Sequence, residues 1–144
     1  MRINGGWYEP AEHVPQPVVI GVVQAADGGW VECPFLIDTG ASTTVLAPKI
    51  LRRLGRPVAL APKQLTGVGG PVETWQVWTT LGFLRTDGQP TLIEGAYSAF
   101  QDEQALDMSV LGYDILHLFA LIVDRPGNTV CLLVPPQRYT ILGD

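Results

Sequence analysis

Sixteen glycines and twelve prolines cut this chain into short runs rich in Val, Ile, Leu, Thr and aromatic residues. Helices of ordinary length do not survive such punctuation, because Gly loosens the backbone and Pro removes a hydrogen bond. Short strands joined by tight turns do, and the pattern is that of sandwiches and barrels. The expected fold class is mainly β. Residues 18–25 read as a first strand, Asp27-Gly28-Gly29 as its turn, and Trp30–Ile37 as the return. Gly in such turns adopts positive φ without steric cost.

Pro48 opens a short helix whose Ile50, Leu51 and Leu54 make one apolar face, and Gly55 closes it. Residues 63–80 read as a long hairpin with a glycine-rich tip. Residues 81–86 and 91–100 are expected to flank a turn at Asp87-Gly88, and residues 113–119 to form a second helix. Residues 119–123 and 129–134 pair around Asp124-Arg125-Pro126-Gly127-Asn128. The organisation predicted is a loosely held arm over residues 1–16, one domain over 17–134, and a tail over 135–144. Tyr139-Thr140-Ile141-Leu142 in that tail is either a strand at a subunit seam or a frayed end.

A length of 144 residues with 47% hydrophobic and 16% charged residues suits one domain with a real core. The net charge of -5 and scattered basic residues argue against a nucleic-acid partner, since phosphate binding needs clustered Lys and Arg. No stretch nears the roughly 18–20 apolar residues that span a bilayer. No apolar signal core follows Arg2 either, so no membrane partner and a cytoplasmic location are expected. Cys33 and Cys131 are too few for a disulfide framework and read as buried free thiols. With His13 and His117 as the only histidines, no His-rich metal site is expected, and no cofactor.

The chemistry concentrates in Phe35-Leu36-Ile37-Asp38-Thr39-Gly40-Ala41-Ser42. An acid directly after apolar strand residues is costly if buried alone. Gly40 permits a tight turn just past it, which presents the carboxylate at a strand end. Leu65-Thr66-Gly67-Val68-Gly69-Gly70 places glycines at a predicted hairpin tip, and Val110-Leu111-Gly112 leads into the second short helix.

These three segments, in this order and at these separations, resemble the retropepsin family of aspartic peptidases, over roughly residues 17–134. The resemblance implies a closed β-barrel with a flap hairpin and one or two short helices. It implies Asp38 as catalytic residue, Thr39, Gly40 and Ala41 as its loop, and Gly67, Val68, Gly69 and Gly70 as a flap closing over substrate. Val45, Met108 and Val110 match apolar walls of the specificity pockets. The stretch from Gly112 to Val123 is closer to cellular retropepsins of the DNA-damage-inducible type than to viral ones. Ser42, Thr43 and Tyr113 replace the acids and the Arg that pair ionically in viral members.

Amide hydrolysis by this route takes two carboxylates, one as base on a bound water and one as acid. The sequence has one suitable motif, so the second Asp38 is expected from another copy of the chain, in a homodimer acting on polypeptide substrates. The alternative is an idle retropepsin-fold dimer that binds peptides as a scaffold.

Overall fold

The structure is a computed structural model and describes residues 1–60, 65–67, 70–104, 106–136 and 139–143, without side-chain detail for 65–67 and 70–72. The chain begins with β1 (Arg2–Asn4), β2 (Gly6–Tyr8), β3 (Gln16–Gln24) and β4 (Trp30–Ile37). β5 (Val45–Leu46) leads into α1 (Pro48–Leu54), then β6 (Ala59–Leu60) and the paired β7 (Leu65–Gly67) and β8 (Gly70–Val72). The long strands β9 (Trp75–Leu84) and β10 (Pro90–Ala99) precede β11 (Ser109–Leu111) and α2 (Tyr113–Leu116). β12 (Ala120–Asp124) and β13 (Thr129–Leu133) complete the order.

Alternation builds the barrel wall. Along β4, Val31, Cys33, Phe35 and Ile37 are buried, and the residues between them are exposed or half-buried. The main sheet runs β2-β3-β4-β11-β5-β10-β9-β6, and β9 also pairs back onto β3. That extra pairing closes a barrel of six strands, β3, β4, β11, β5, β10 and β9, through Val22↔Gly82 and Val23↔Leu81. Phe35 and Phe83 meet in its core, their ring centroids 5.8 Å apart. The fold is therefore the mainly β closed barrel that the sequence leads one to expect.

The turns follow their chemistry. Gly28 and Gly88 take φ of 86° and 82°, while Asp27 and Asp87 accept the N–H two residues on. Helix α1 spans the residues read from Pro48 onward and ends on left-handed Gly55. Both cysteines are buried and free. Among the described residues, no helix is long and apolar enough to cross a membrane.

Three expectations are corrected. The segment before Val18 is not a loose arm: β1 pairs with β13, β2 pairs with β3, and Ile3 is buried in the core. One apolar residue between polar neighbours is too short a pattern to announce a strand. Next, the hairpin expected to end at residue 80 and the strand expected over 81–86 share one strand, β9, which runs unbroken through Thr79 and Thr80 because β-branched side chains suit a pleated surface. Finally, α2 stops at Leu116, where Leu118 and Phe119 donate to carbonyls three residues back in a tightened turn. The described tail, residues 139–143, has no secondary structure in the single chain, and Tyr139, Ile141 and Leu142 are exposed.

Candidate active site

Strand β4 delivers Asp38 to the barrel's end, and the next residues turn at once. The Asp38 N–H donates to the Leu111 carbonyl at 3.1 Å, extending the parallel ladder in which Leu111 faces Ile37. Gly40 N–H donates to Asp38 Oδ1 at 2.9 Å, and Ala41 N–H to the Asp38 carbonyl at 3.2 Å. The turn thus orients its own acid. Asp38, Thr39 and Gly40 are exposed and Ala41 is half-buried. Gly40 N–H is the carboxylate's one hydrogen-bond donor among the described residues.

Behind the exposed loop lies a buried polar clamp. Thr44 is fully buried; its hydroxyl donates to Asp114 Oδ1 at 2.7 Å and accepts the Gly112 N–H at 3.0 Å. The Thr44 N–H donates to Asp114 Oδ2 at 3.0 Å, and Tyr113 N–H donates to the Ala41 carbonyl at 2.7 Å. The Asp38 loop and the turn into α2 are therefore one hydrogen-bonded unit. Gly112 is needed for the approach: a Cβ there would lie 2.5 Å from the Thr43 carbonyl carbon and oxygen.

Sequence reasoning missed Thr44 and Asp114. The available signals were a hydroxyl opening the apolar run Val45-Leu46-Ala47, and an acid two residues after Gly112. A buried hydroxyl needs a partner, but the two lie 70 residues apart and neither names the other.

Register gathers the other site residues. Val110 lies opposite Leu36 in the parallel ladder and opposite Val45 in the antiparallel one. Facing residues share a side of the sheet, as does every second residue along a strand. Val45, Val110, Met108, Leu36 and Asp38 therefore fall on one face. Val45 is buried, and Met108 and Val110 are half-buried. Of the glycine-rich segment, Gly67 pairs with Gly70 across β7 and β8. Val68 and Gly69 lie outside the described residues.

A protein-family model described as aspartyl protease matches residues 23–115, well over half of the chain. The chain belongs to the aspartyl protease family. Among solved structures, this aspartyl protease family member is similar to the EIAV protease complexed with the inhibitor HBY-793. That likeness has 26% identity and a TM-score of 0.53, covering 76% of this chain and 91% of that one. It is similar also to a retropepsin-like aspartic protease from Rickettsia conorii, with 20% identity and a TM-score of 0.53. This second match covers 78% of this chain and 97% of the other, and establishes the likeness of fold. No curated protein matches the sequence. The aspartyl protease family chain thus has the retropepsin-like architecture that its three motifs resemble, with the Thr44–Asp114 clamp lying beside Ser42, Thr43 and Tyr113.

Proposed function

We propose that the chain is an aspartic endopeptidase that acts as a homodimer, each subunit contributing one Asp38. The observation that carries this reading is the exposed Asp38-Thr39-Gly40 turn at the end of β4, in a chain with a single such motif. A two-fold axis at that loop brings two copies of the carboxylate together. Like charges at that separation do not both ionise readily, so the pair holds one proton between them.

The ionised Asp38 takes a proton from water as the water oxygen bonds to the scissile carbonyl carbon. The protonated Asp38 of the second copy gives its proton to the carbonyl oxygen. As the tetrahedral diol collapses, the second Asp38 takes back a proton from one hydroxyl, the C–N bond breaks, and the amine leaves with the proton from the carboxyl that received it. Thr39 hydrogen-bonds across the axis and holds the two loops, while Gly40 approaches the substrate backbone. Gly67, Val68, Gly69 and Gly70 close over the peptide and exclude water. Val45, Met108 and Val110 form apolar walls, which favours hydrophobic residues around the cut. Two free thiols suit a reducing compartment such as the cytoplasm.

The test is Asp38→Asn, assayed with a fluorogenic peptide library. Cleavage should fall by at least about a thousandfold, as expected when a general base is removed, with the circular dichroism spectrum unchanged. A folded variant that keeps near-normal turnover overturns the assignment.

A further inference from the structure

The walls of a cleft of about 720 Å3 include Tyr8, His13, Gln16, Lys49, Asp107 and Leu36, which stands two residues before Asp38 in the chain. Strand register fixes where it lies. Val18 faces both Gly6 and Leu36, and Gln16 faces Tyr8. Continuing the β3–β4 register two residues past Val18 sets Gln16, and beyond it Tyr8, level with Asp38. Ordinary strand spacing places them about 5 and 10 Å from it. By the same parity, Tyr8, Gln16 and Leu36 share the face to which strand alternation directs Asp38.

We infer that this cleft is a substrate subsite for an acidic side chain about three residues from the scissile bond, with Lys49 as the residue that reads it. The inference rests on the peptidase reading above and names a substrate preference for it. An extended peptide advances about 3.4 Å per residue, so its third residue from the cut reaches about 10 Å from Asp38. That is the level of Tyr8.

Lys49 forms no ion pair among the described residues, unlike Arg52, Arg85 and Arg125, which hold Glu103, Asp87 and Glu9. Its ammonium is free to meet a carboxylate brought by substrate. His13, Tyr8 and Gln16 supply hydrogen-bonding groups. Asp107 is the one carboxylate among the described residues lining the cleft, and it opposes a substrate acid. Because a two-fold dimer repeats the cleft on both sides of the cut, the preference belongs at the third residue before the cut and the third after it.

The test uses ten-residue peptides built on one sequence that the full chain cleaves, with Glu, Gln or Lys at the third residue on either side. Glu should exceed Lys in kcat/KM by about two- to fivefold, the range of a solvent-exposed ion pair. Lys49→Glu, a change compatible with the first turn of α1, should invert that order, and Asp107→Asn should widen it. A parallel series with a reduced, uncleavable bond between Phe and Leu is read by fluorescence anisotropy and reports binding without chemistry. Cleavage that depends on Asp38 but shows a flat or Lys-favouring profile overturns the subsite and leaves the peptidase reading intact. Glu-selective binding without cleavage supports the subsite and overturns that reading. Neither cleavage nor binding of the Glu peptides overturns both.

Discussion

Thr44 and Asp114 hold each other through two hydrogen bonds, hydroxyl to Oδ1 at 2.7 Å and N–H to Oδ2 at 3.0 Å. Thr44 is fully buried, so removing its partner leaves two donors stranded. Asp114→Ala should cost about 1–3 kcal/mol, the range for an unsatisfied buried group. Thr44→Val keeps shape but loses the hydroxyl, and should cost a similar amount. The double variant should cost less than the sum, because the two share one interaction. Urea unfolding of the four chains measures the coupling, and strict additivity would show that the clamp is not a unit.

Gly112→Ala tests the close approach at the same junction. A methyl group 2.5 Å from the Thr43 carbonyl forces the Asp38 loop and the start of α2 apart. We expect a loss of about 1–3 kcal/mol from overpacking, together with a fall in kcat that Gly143→Ala does not share, since Gly143 has open space around it. Equal behaviour of the two variants would refute the tight seat.

Burial pushes the Cys33 thiol up to about 12 from 9.0, with smaller opposing effects from Ser109 and Lys49. Below pH 9 the thiol is neutral in both folded and unfolded chains, and its contribution to stability is complete. Above that, the unfolded chain ionises while the folded one does not, so stability falls until about pH 12. The ceiling is about 4 kcal/mol at roughly 1.4 kcal/mol per pH unit. Urea midpoints between pH 8 and 11 should decline less steeply in Cys33→Ala than in the parent chain. Tyr97, also raised chiefly by burial, gives both chains a common alkaline decline.

Mixing tests the shared site. With a fivefold excess of Asp38→Asn chains under exchanging conditions, roughly one parent chain in six finds a parent partner. Activity per parent chain should therefore fall about sixfold once mass spectrometry has verified exchange. Constant activity would mean that each chain holds a complete site.

The turns and the Asp38 strand were legible because their signals are local. Asp-Gly pairs specify their own backbone, and Val31, Cys33, Phe35 and Ile37 mark one buried face of a strand by their spacing of two. The residues that went unread share a different property: their partners are distant in sequence. Ile3 shows its role only beside Leu132, and Thr44 only beside Asp114. Periodicity carries no information about such pairs. The row from Asp38 to Tyr8 escaped for the same reason, since it requires the register of three strands at once.

The pairing of Arg2 with Leu133 has a consequence for synthesis on the ribosome. Strand β1 must wait for its partner β13. At about 5–20 residues per second, on the order of ten seconds separate the two. Through that interval β1 has Thr86 to bond with but not its strand partner, and Ile3 lacks Leu132. The nascent chain therefore holds β1 without its strand partner until β13 has emerged.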